Sequence, residues 1–366
     1  MTRSGTDWRV RSVLYLLVLF LTAFSAAILT GPETVLDDND PEDPLPEQSF
    51  QGLPAGISPD SRPDAVTGNW VYFSDRILRR ETFSPVQTGE TVRILKDIFR
   101  SLPQGVRGSL VVVPGRIGYE NGLEVFARDM WSVHDRVLKE MEPEVTVIRL
   151  DGVLGEKREE YLYYRTDDAW TALGAYYGAV SYLQTTGAGP APDLSSYLRR
   201  EGPLFRGARG SDPRREIPPE RADRVDYYTE DTIIPWAEVL AARNPGYPEI
   251  SREPVLSAAR GGTDLFVGGR ITRAVLRGKA GNGRSLLLAG DTEARILAPW
   301  LLSAYDRIDY IHTGWYREGP DELARLMEEA GTDDYLLVLG VHTLNREAAM
   351  HQMERFMKLE GRSRDE

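Results

Sequence analysis

The sequence predicts an α/β fold built on a parallel sheet flanked by helices, and three observations carry that expectation. Short apolar runs recur along the chain: Ser109–Val113 (SLVVV), Ser285–Ala289 (SLLLA) and Tyr335–Val341 (YLLVLGV). Strands covered on both faces read as continuous rather than alternating runs. Segments with helical spacing stand between them. Strand and helix patterns alternate, as they do where parallel strands are joined by crossover helices.

The elements follow in order. Arg3, Arg9 and Arg11 precede an uncharged apolar run, Ser12–Thr30. Its length just spans a bilayer core of roughly 30 Å, and the basic flank stays cytoplasmic. Residues 1–11 therefore read as a cytoplasmic tail, 12–30 as a single-pass anchor in the cell membrane, and the rest as extracytoplasmic. A cleaved signal peptide is the competing reading, since Ser25, Ala26 and Ala27 lie near the end of the run. Residues 31–66 are acidic, Pro-rich and aperiodic, which describes a disordered tether.

The body is expected over 67–355. It opens on a short strand at Asn69–Phe73. A helix follows over Thr91–Leu102, with Val92, Leu95, Ile98 and Phe99 at helical spacing. After SLVVV, Pro114 and Gly115 end the strand, then come a helix over Glu124–Met141 and a strand over Val145–Leu150. In Tyr161–Tyr176 (YLYYRTDDAWTALGAY), Asp167 and Asp168 sit on a turn before a helix. One face of that helix carries Leu173, Tyr176, Tyr177 and Val180. Residues 185–283 read as an insertion of short strands and loops. Beyond SLLLA, Ala294, Leu297, Ala298, Leu301 and Tyr305 mark a helix kinked by Pro299. A strand at Ile308–Ile311, a helix over Asp321–Glu329, YLLVLGV and a charged tail at 356–366 complete the chain.

Formal net charge is −12, which argues against nucleic acid, whose binding rests on basic residues. There are no cysteines, and the histidines are His134, His312, His342 and His351. In open α/β sheets ligands bind beyond the carboxyl ends of the strands. That rule selects Pro114–Tyr119, Asp167–Trp170, Gly290–Glu293, His312–Tyr316 and His342–Asn345. It predicts that Asp167, Thr292, His312 and His342 converge on one rim. Each also has an ordinary reading: the Asp167 and Asp168 carboxylates can satisfy loop or cap N–H groups, Asp291 and Thr292 can cap the following helix, and either histidine can be a plain strand-end residue.

The stretch YYRTDDAWTALGAYYGAV resembles the signature of the DHHW-motif proteins, an extracytoplasmic bacterial family similar to SGNH-hydrolase-like O-acetyltransferases of alginate and other exopolysaccharide systems. The late turn GDTEARILAPWL and the glycine pair in FVGGR (Gly268, Gly269, then Arg270) extend the resemblance from about Asn69 to His351. It implies an SGNH-hydrolase-like α/β fold and a serine-esterase relay. Asp167 matches the family's relay Asp and Trp170 its Trp. Asp168 and Ala169 stand where the pattern has two His, the second being the usual base. Thr292 replaces the nucleophilic Ser, after Gly290 and Asp291. Arg270 stands where Asn is common, His312 where an acidic residue is common, and Gly314 where Arg is common. The resemblance thus implies a degenerate scaffold or glycan-binding member, with polysaccharide and a multi-pass membrane O-acyltransferase as partners and no cofactor. The alternative is an active O-acyltransferase or esterase with Thr292 as nucleophile and His312 or His342 as relocated base.

A third reading places a hard cation among Asp167, Asp168 and Asp291. Trp70, Trp131, Trp170, Trp300 and Trp315 can stack on sugar faces or simply fill the core.

Overall fold

The computed structural model of the 366-residue chain describes residues 63–73, 76–207, 222–230, 236–241 and 249–359. The expected tail and anchor over 1–30, nearly all of the tether, and parts of the insertion lie outside these residues. Among the described residues, no helix is long and apolar enough to cross a membrane.

Strands β1 (Ala65–Thr67), β2 (Trp70–Tyr72) and β3 (Ile77–Arg79) form a small antiparallel sheet. Strand β1 thus includes Ala65 and Val66, the last residues assigned to the tether. Next come α1 (Pro85–Arg100), β4 (Arg107–Val113), α2 (Glu124–Met141), β5 (Thr146–Ile148), α3 (Asp151–Glu156) and α4 (Ala172–Thr186). The middle of the chain supplies β6 (Leu198–Arg200), β7 (Leu204–Phe205), β8 (Asp223–Arg224), β9 (Tyr227–Thr229), β10 (Trp236–Ala241), β11 (Glu249–Pro254) and β12 (Arg273–Arg277). The last part holds β13 (Ser285–Gly290), α5 (Thr292–Leu297), β14 (Arg307–His312), α6 (Pro320–Ala330), β15 (Asp334–Gly340) and α7 (Glu347–Met357). The last of these helices occupies the start of the stretch read as a charged tail.

The main sheet has the order β11-β10-β12-β14-β13-β15-β4-β5. From β14 to β5 every neighbouring pair is parallel. Strands β12, β10 and β11 continue it antiparallel. The insertion read over 185–283 is therefore partly central: it gives three strands to the main sheet, besides the small ladders β6–β9 and β7–β8. Antiparallel neighbours need no crossover helix, so this stretch shows no helical period that would have tied it to the sheet.

The central strands divide their side chains between two apolar layers. Leu286 and Leu288 enter one, with Val111, Val113, Leu336 and Val338. Leu287 and Ala289 enter the other, with Leu110, Val112, Leu337 and Leu339. The first layer is closed by α4 and α5, the second by α1, α2, α6 and α7. Burial on both faces is what the continuous runs predict.

Helix α4 forms where expected but turns a different face inward. Ala172, Gly174, Ala175, Gly178 and Ala179 are buried, with Tyr182 and Leu183, whereas Leu173, Tyr176, Tyr177 and Val180 are half-buried. The small residues let Trp170 lie against the helix: a Cβ at Gly178 would stand 2.7 Å from the indole Cη2. Thr171 caps the helix, its Oγ1 accepting from the Gly174 N–H at 3.3 Å. At Pro299 the helix beginning with α5 tightens into a 3-10 turn, Ala298–Ser303.

Candidate functional site

The chain turns that end β4, β13, β14 and β15 lie along one edge of the main sheet. Tyr161–Trp170 approaches this edge as a hairpin-like excursion rather than a simple strand-to-helix turn. Tyr163 bridges to Trp170, the Tyr164 N–H donates to the Ala169 carbonyl at 3.2 Å, and the Thr171 N–H to that of Leu162 at 2.8 Å. At its tip, Asp167 Oδ1 accepts from the Ala169 N–H at 3.1 Å.

The tip is clamped from the middle of the chain. The fully buried Asp223 carboxylate accepts from the backbone N–H groups of Arg165 (2.9 Å) and Thr166 (2.8 Å). It also accepts from the Thr166 and Tyr161 hydroxyls and pairs with the Arg165 guanidinium at 3.3 Å. The Gly207 N–H in turn donates to Thr166 Oγ1 at 2.9 Å.

Two indoles join the excursion to the late turn. Trp170 Nε1 donates to the Glu293 carbonyl at 3.1 Å. In return, Trp300 Nε1 donates to the Ala172 carbonyl at 2.8 Å. Both rings are buried, which settles them as core residues and leaves neither free to stack on a sugar.

A cleft opens beside the tip, lined by Arg79, Glu81, Asp167, Asp168 and His342 over Ile117 and Met130. Arg79 pairs with Glu81 and lies 3.7 Å from Asp168. Burial raises the Glu81 carboxyl above its usual range, against the opposing pull of Arg79 and His342. Asp168 and Asp167 thus share the cleft with an imidazole, as the rim rule expects for Asp167 and His342.

The late turn lies against that imidazole. Asp291 caps α5, Oδ1 accepting from the Glu293 N–H at 3.2 Å. Its Oδ2 accepts from the Gly340 N–H at 2.9 Å and the Thr343 hydroxyl at 2.7 Å. The cap reading of Asp291 therefore describes a real bond. Glu293 is 2% exposed. Burial pushes its carboxyl well above the usual range, helped by the Asp291 charge, a hydrogen bond with Asp291, and the Asp167 charge. Ligand atoms of Asp291, Glu293 and His342 all lie within 4.8 Å of one another.

A carboxyl with a raised folded pKa binds its proton more tightly folded than unfolded. Its contribution is present at low pH and is lost as pH rises from about 4.5 through the folded value. Glu293→Gln keeps the shape and offers an N–H to Asp291. In buffer containing EDTA, the variant should lose less melting temperature than the parent between pH 5 and pH 9. The expected gain at high pH is about 1.4 kcal/mol for each unit of pKa elevation. Equal pH slopes for the two proteins would show that Glu293 is not held neutral.

Thr292, the first residue of α5, is half-buried, and among the described residues none hydrogen-bonds its hydroxyl. His312 stacks flat on Trp315, ring centroids 3.7 Å apart. Its Nδ1 accepts from the Gly314 N–H at 3.1 Å, and it does not line the cleft. Ala169 is 2% exposed and packed into the first apolar layer. Gly268 and Gly269 have positive φ, preceded by Val267 at φ 47°, a strained conformation for a β-branched residue. This turn is held by the buried Arg295, which donates to the Gly269 carbonyl at 2.7 Å and to Thr263 Oγ1 at 2.9 Å. The Arg270 side chain is 78% exposed, 3.8 Å from Asp264, and does not line the cleft.

Sequence reasoning missed Arg79, Glu81, Asp223 and Arg295, and reached Glu293 only as the last residue of the Gly290–Glu293 turn, with no role. Glu293 carried a signal, since it stands four residues before Leu297 on the apolar stripe of its helix. The others carried none.

The profile of the family described as DHHW protein matches residues 135–214. Among solved structures, the chain is similar to a DHHW family protein from Eubacterium siraeum, with 18% identity and a TM-score of 0.60 over 80% of this chain and 99% of that one. It is also similar to PatB1 of Bacillus cereus, with 14% identity and a TM-score of 0.61 over 75% of this chain and 97% of that one. The O-acetyltransferase domain of Pseudomonas putida AlgJ shows 13% identity over 74% of this chain and 90% of that one, at a TM-score of 0.45. No curated protein sequence matches. The resemblance to DHHW-motif proteins is thus found both in the profile and in the fold, which is the α/β fold with a largely parallel, helix-flanked sheet expected from it.

Proposed function

We propose that this chain is a catalytically degenerate member of the cell-envelope or exopolysaccharide O-acetylation machinery, acting outside the membrane as a scaffold or glycan-binding subunit. One observation carries the reading. The position that resemblance gives to the catalytic base is Ala169, an alanine sealed in the core at 2% exposure, while the Thr292 hydroxyl has no hydrogen-bond partner among the described residues. A relay needs a base within about 3 Å of its nucleophile. Losing a triad member costs several orders of magnitude in rate.

A surface suited to sugars supports the binding role. Tyr176, Tyr197 and Tyr228 are half-buried and surround Trp300, with ring centroids 5.0–5.2 Å from it. Aromatic rings packed edge-on, as Tyr176 and Tyr197 are, or tilted, as Tyr228 is, present a stiff apolar face. The partners proposed are a polysaccharide and a multi-pass membrane O-acyltransferase, with the apolar run Ser12–Thr30 as anchor.

A second reading keeps catalysis, with Thr292 as nucleophile and His342 as base. It is favoured by the cleft that His342 shares with Asp167 and Asp168. Acetyl-ester hydrolysis by the full chain in detergent separates the two. The proposal expects the background rate, unchanged in Thr292→Val. Turnover that appears only in the double variant Ala169→His, Thr292→Ser would support it further. Ready turnover in the parent, abolished by Thr292→Val, would overturn it in favour of the second reading.

A further inference from the structure

We infer that Asp291, Glu293 and His342 form a binding site for one transition-metal dication of the Zn²⁺ type. The inference goes beyond the proposed function and holds whether or not the chain turns over an ester.

Three features make this a built site rather than a chance cluster. The first is the ligand set. Two carboxylate oxygens and one imidazole nitrogen lie within 4.8 Å of one another, delivered by the cap and first turn of α5 and by the 3-10 turn Val341–Asn345. Imidazole with carboxylate suits Zn²⁺, which takes His nitrogen at about 2.0–2.1 Å and carboxylate oxygen at about 2.0–2.2 Å. Ca²⁺ and Mg²⁺ prefer oxygen alone.

The second feature is Glu293. It is 2% exposed, and its Oε2 is buried with no hydrogen-bond partner; the carboxyl meets Asp291 through a proton that a dication would replace. A buried carboxyl oxygen is costly to leave without a partner. One of its carboxylate oxygens lies within 4.8 Å of ligand atoms of both Asp291 and His342, a spacing that one dication shared by several lone pairs would fill.

The third feature is the support around the cluster. The Asp291 carboxylate is fixed from behind by the Gly340 N–H and the Thr343 hydroxyl, the kind of outer contact that orients a metal ligand. Gly340 also makes the approach possible: a Cβ there would collide with the His342 ring and stand 2.7 Å from Glu293 Oε1. His342 lines the cleft, so the fourth position of a tetrahedral ion is open to water or substrate from that side.

The test is calorimetric titration of the EDTA-treated, desalted full chain in detergent with ZnCl₂, with MgCl₂ and CaCl₂ run in parallel. The expected result is one Zn²⁺ per chain, no comparable heat from the other two ions, and a raised melting temperature. Glu293→Gln and His342→Ala should each weaken Zn²⁺ binding at least about tenfold, since even outer contacts of a zinc ligand are worth that much. His351→Ala should leave it unchanged. Glu293→Gln is isosteric, so its result stands if His342→Ala fails to fold. Absence of Zn²⁺ binding overturns the inference. So does binding that survives both ligand variants, equal binding of Mg²⁺ or Ca²⁺, or loss in His351→Ala, which would assign the ion to the surface trio Glu90, His351 and Glu354.

Discussion

Asp223→Ala should cost the fold about 3–5 kcal/mol, the usual range for removing one partner of a buried ionic network. Alanine would leave the Arg165 and Thr166 N–H groups and the Thr166 hydroxyl without their acceptor. Arg165 loses less, because a third of its side chain is exposed and water can replace the contact. The loss therefore falls on the backbone groups, each costing about 1–3 kcal/mol when buried unpaired. Asp223→Asn separates the two effects: it keeps an acceptor oxygen, but its amide N–H groups point at donors. Urea unfolding followed by circular dichroism measures both variants. A loss under about 1 kcal/mol for alanine, against the range above, would mean that water enters and the clamp is unimportant.

Trp170→Ala should be comparably severe, at about 3–5 kcal/mol for a buried Trp cut to Ala. The ring is fully buried against the small-residue face of α4, and its N–H satisfies the Glu293 carbonyl. Trp170→Phe keeps much of the packing and drops the hydrogen bond, so it should cost less than alanine. The same unfolding experiment reads both. If phenylalanine proved as damaging as alanine, the hydrogen bond would outweigh the packing, the reverse of this ordering.

What the sequence revealed follows from how far each signal reaches along the chain. SLVVV, SLLLA and YLLVLGV announce strands buried on both faces because successive residues in the run, not alternate ones, are apolar, and the two layers bear that out. The helix after Trp170 was legible by period, but its inward face was not. Large apolar residues usually mark the core side, whereas here Gly178 is inside because the Trp170 ring occupies the space its side chain would fill, and Gly174 because the Leu162 carbonyl does. Strands β10 to β12 could not be placed from local pattern, since they join the sheet through β12, whose partner β14 lies farther along the chain.

The site divides in the same way. Asp167 and the GDT turn stand out as adjacent polar residues at element boundaries. Asp223 does not, because its partners, two backbone N–H groups among them, lie 57 to 62 residues away and leave no local pattern. Thr292 and His312 were selected by the same rim rule as His342, yet His312 spends its ring on Trp315. A rule about strand ends gives proximity to an edge, and side-chain direction is decided by the neighbour each ring packs on.

The paired indole bonds have a consequence for how the cleft moves. Trp170 reaches forward 123 residues to Glu293, and Trp300 reaches back 128 residues to Ala172. A single such bond would act as a pivot about which one segment swings. Two of them, anchored on opposite partners and buried, act as a double bolt: neither the Asp167 excursion nor the start of α5 can be withdrawn while the other stays seated. Opening on that side is then all-or-none, a cooperative event of the whole body rather than a local flap. Any gradual adjustment to a guest falls to the opposite wall, where Arg79 ends β3 and Glu81 follows just beyond it.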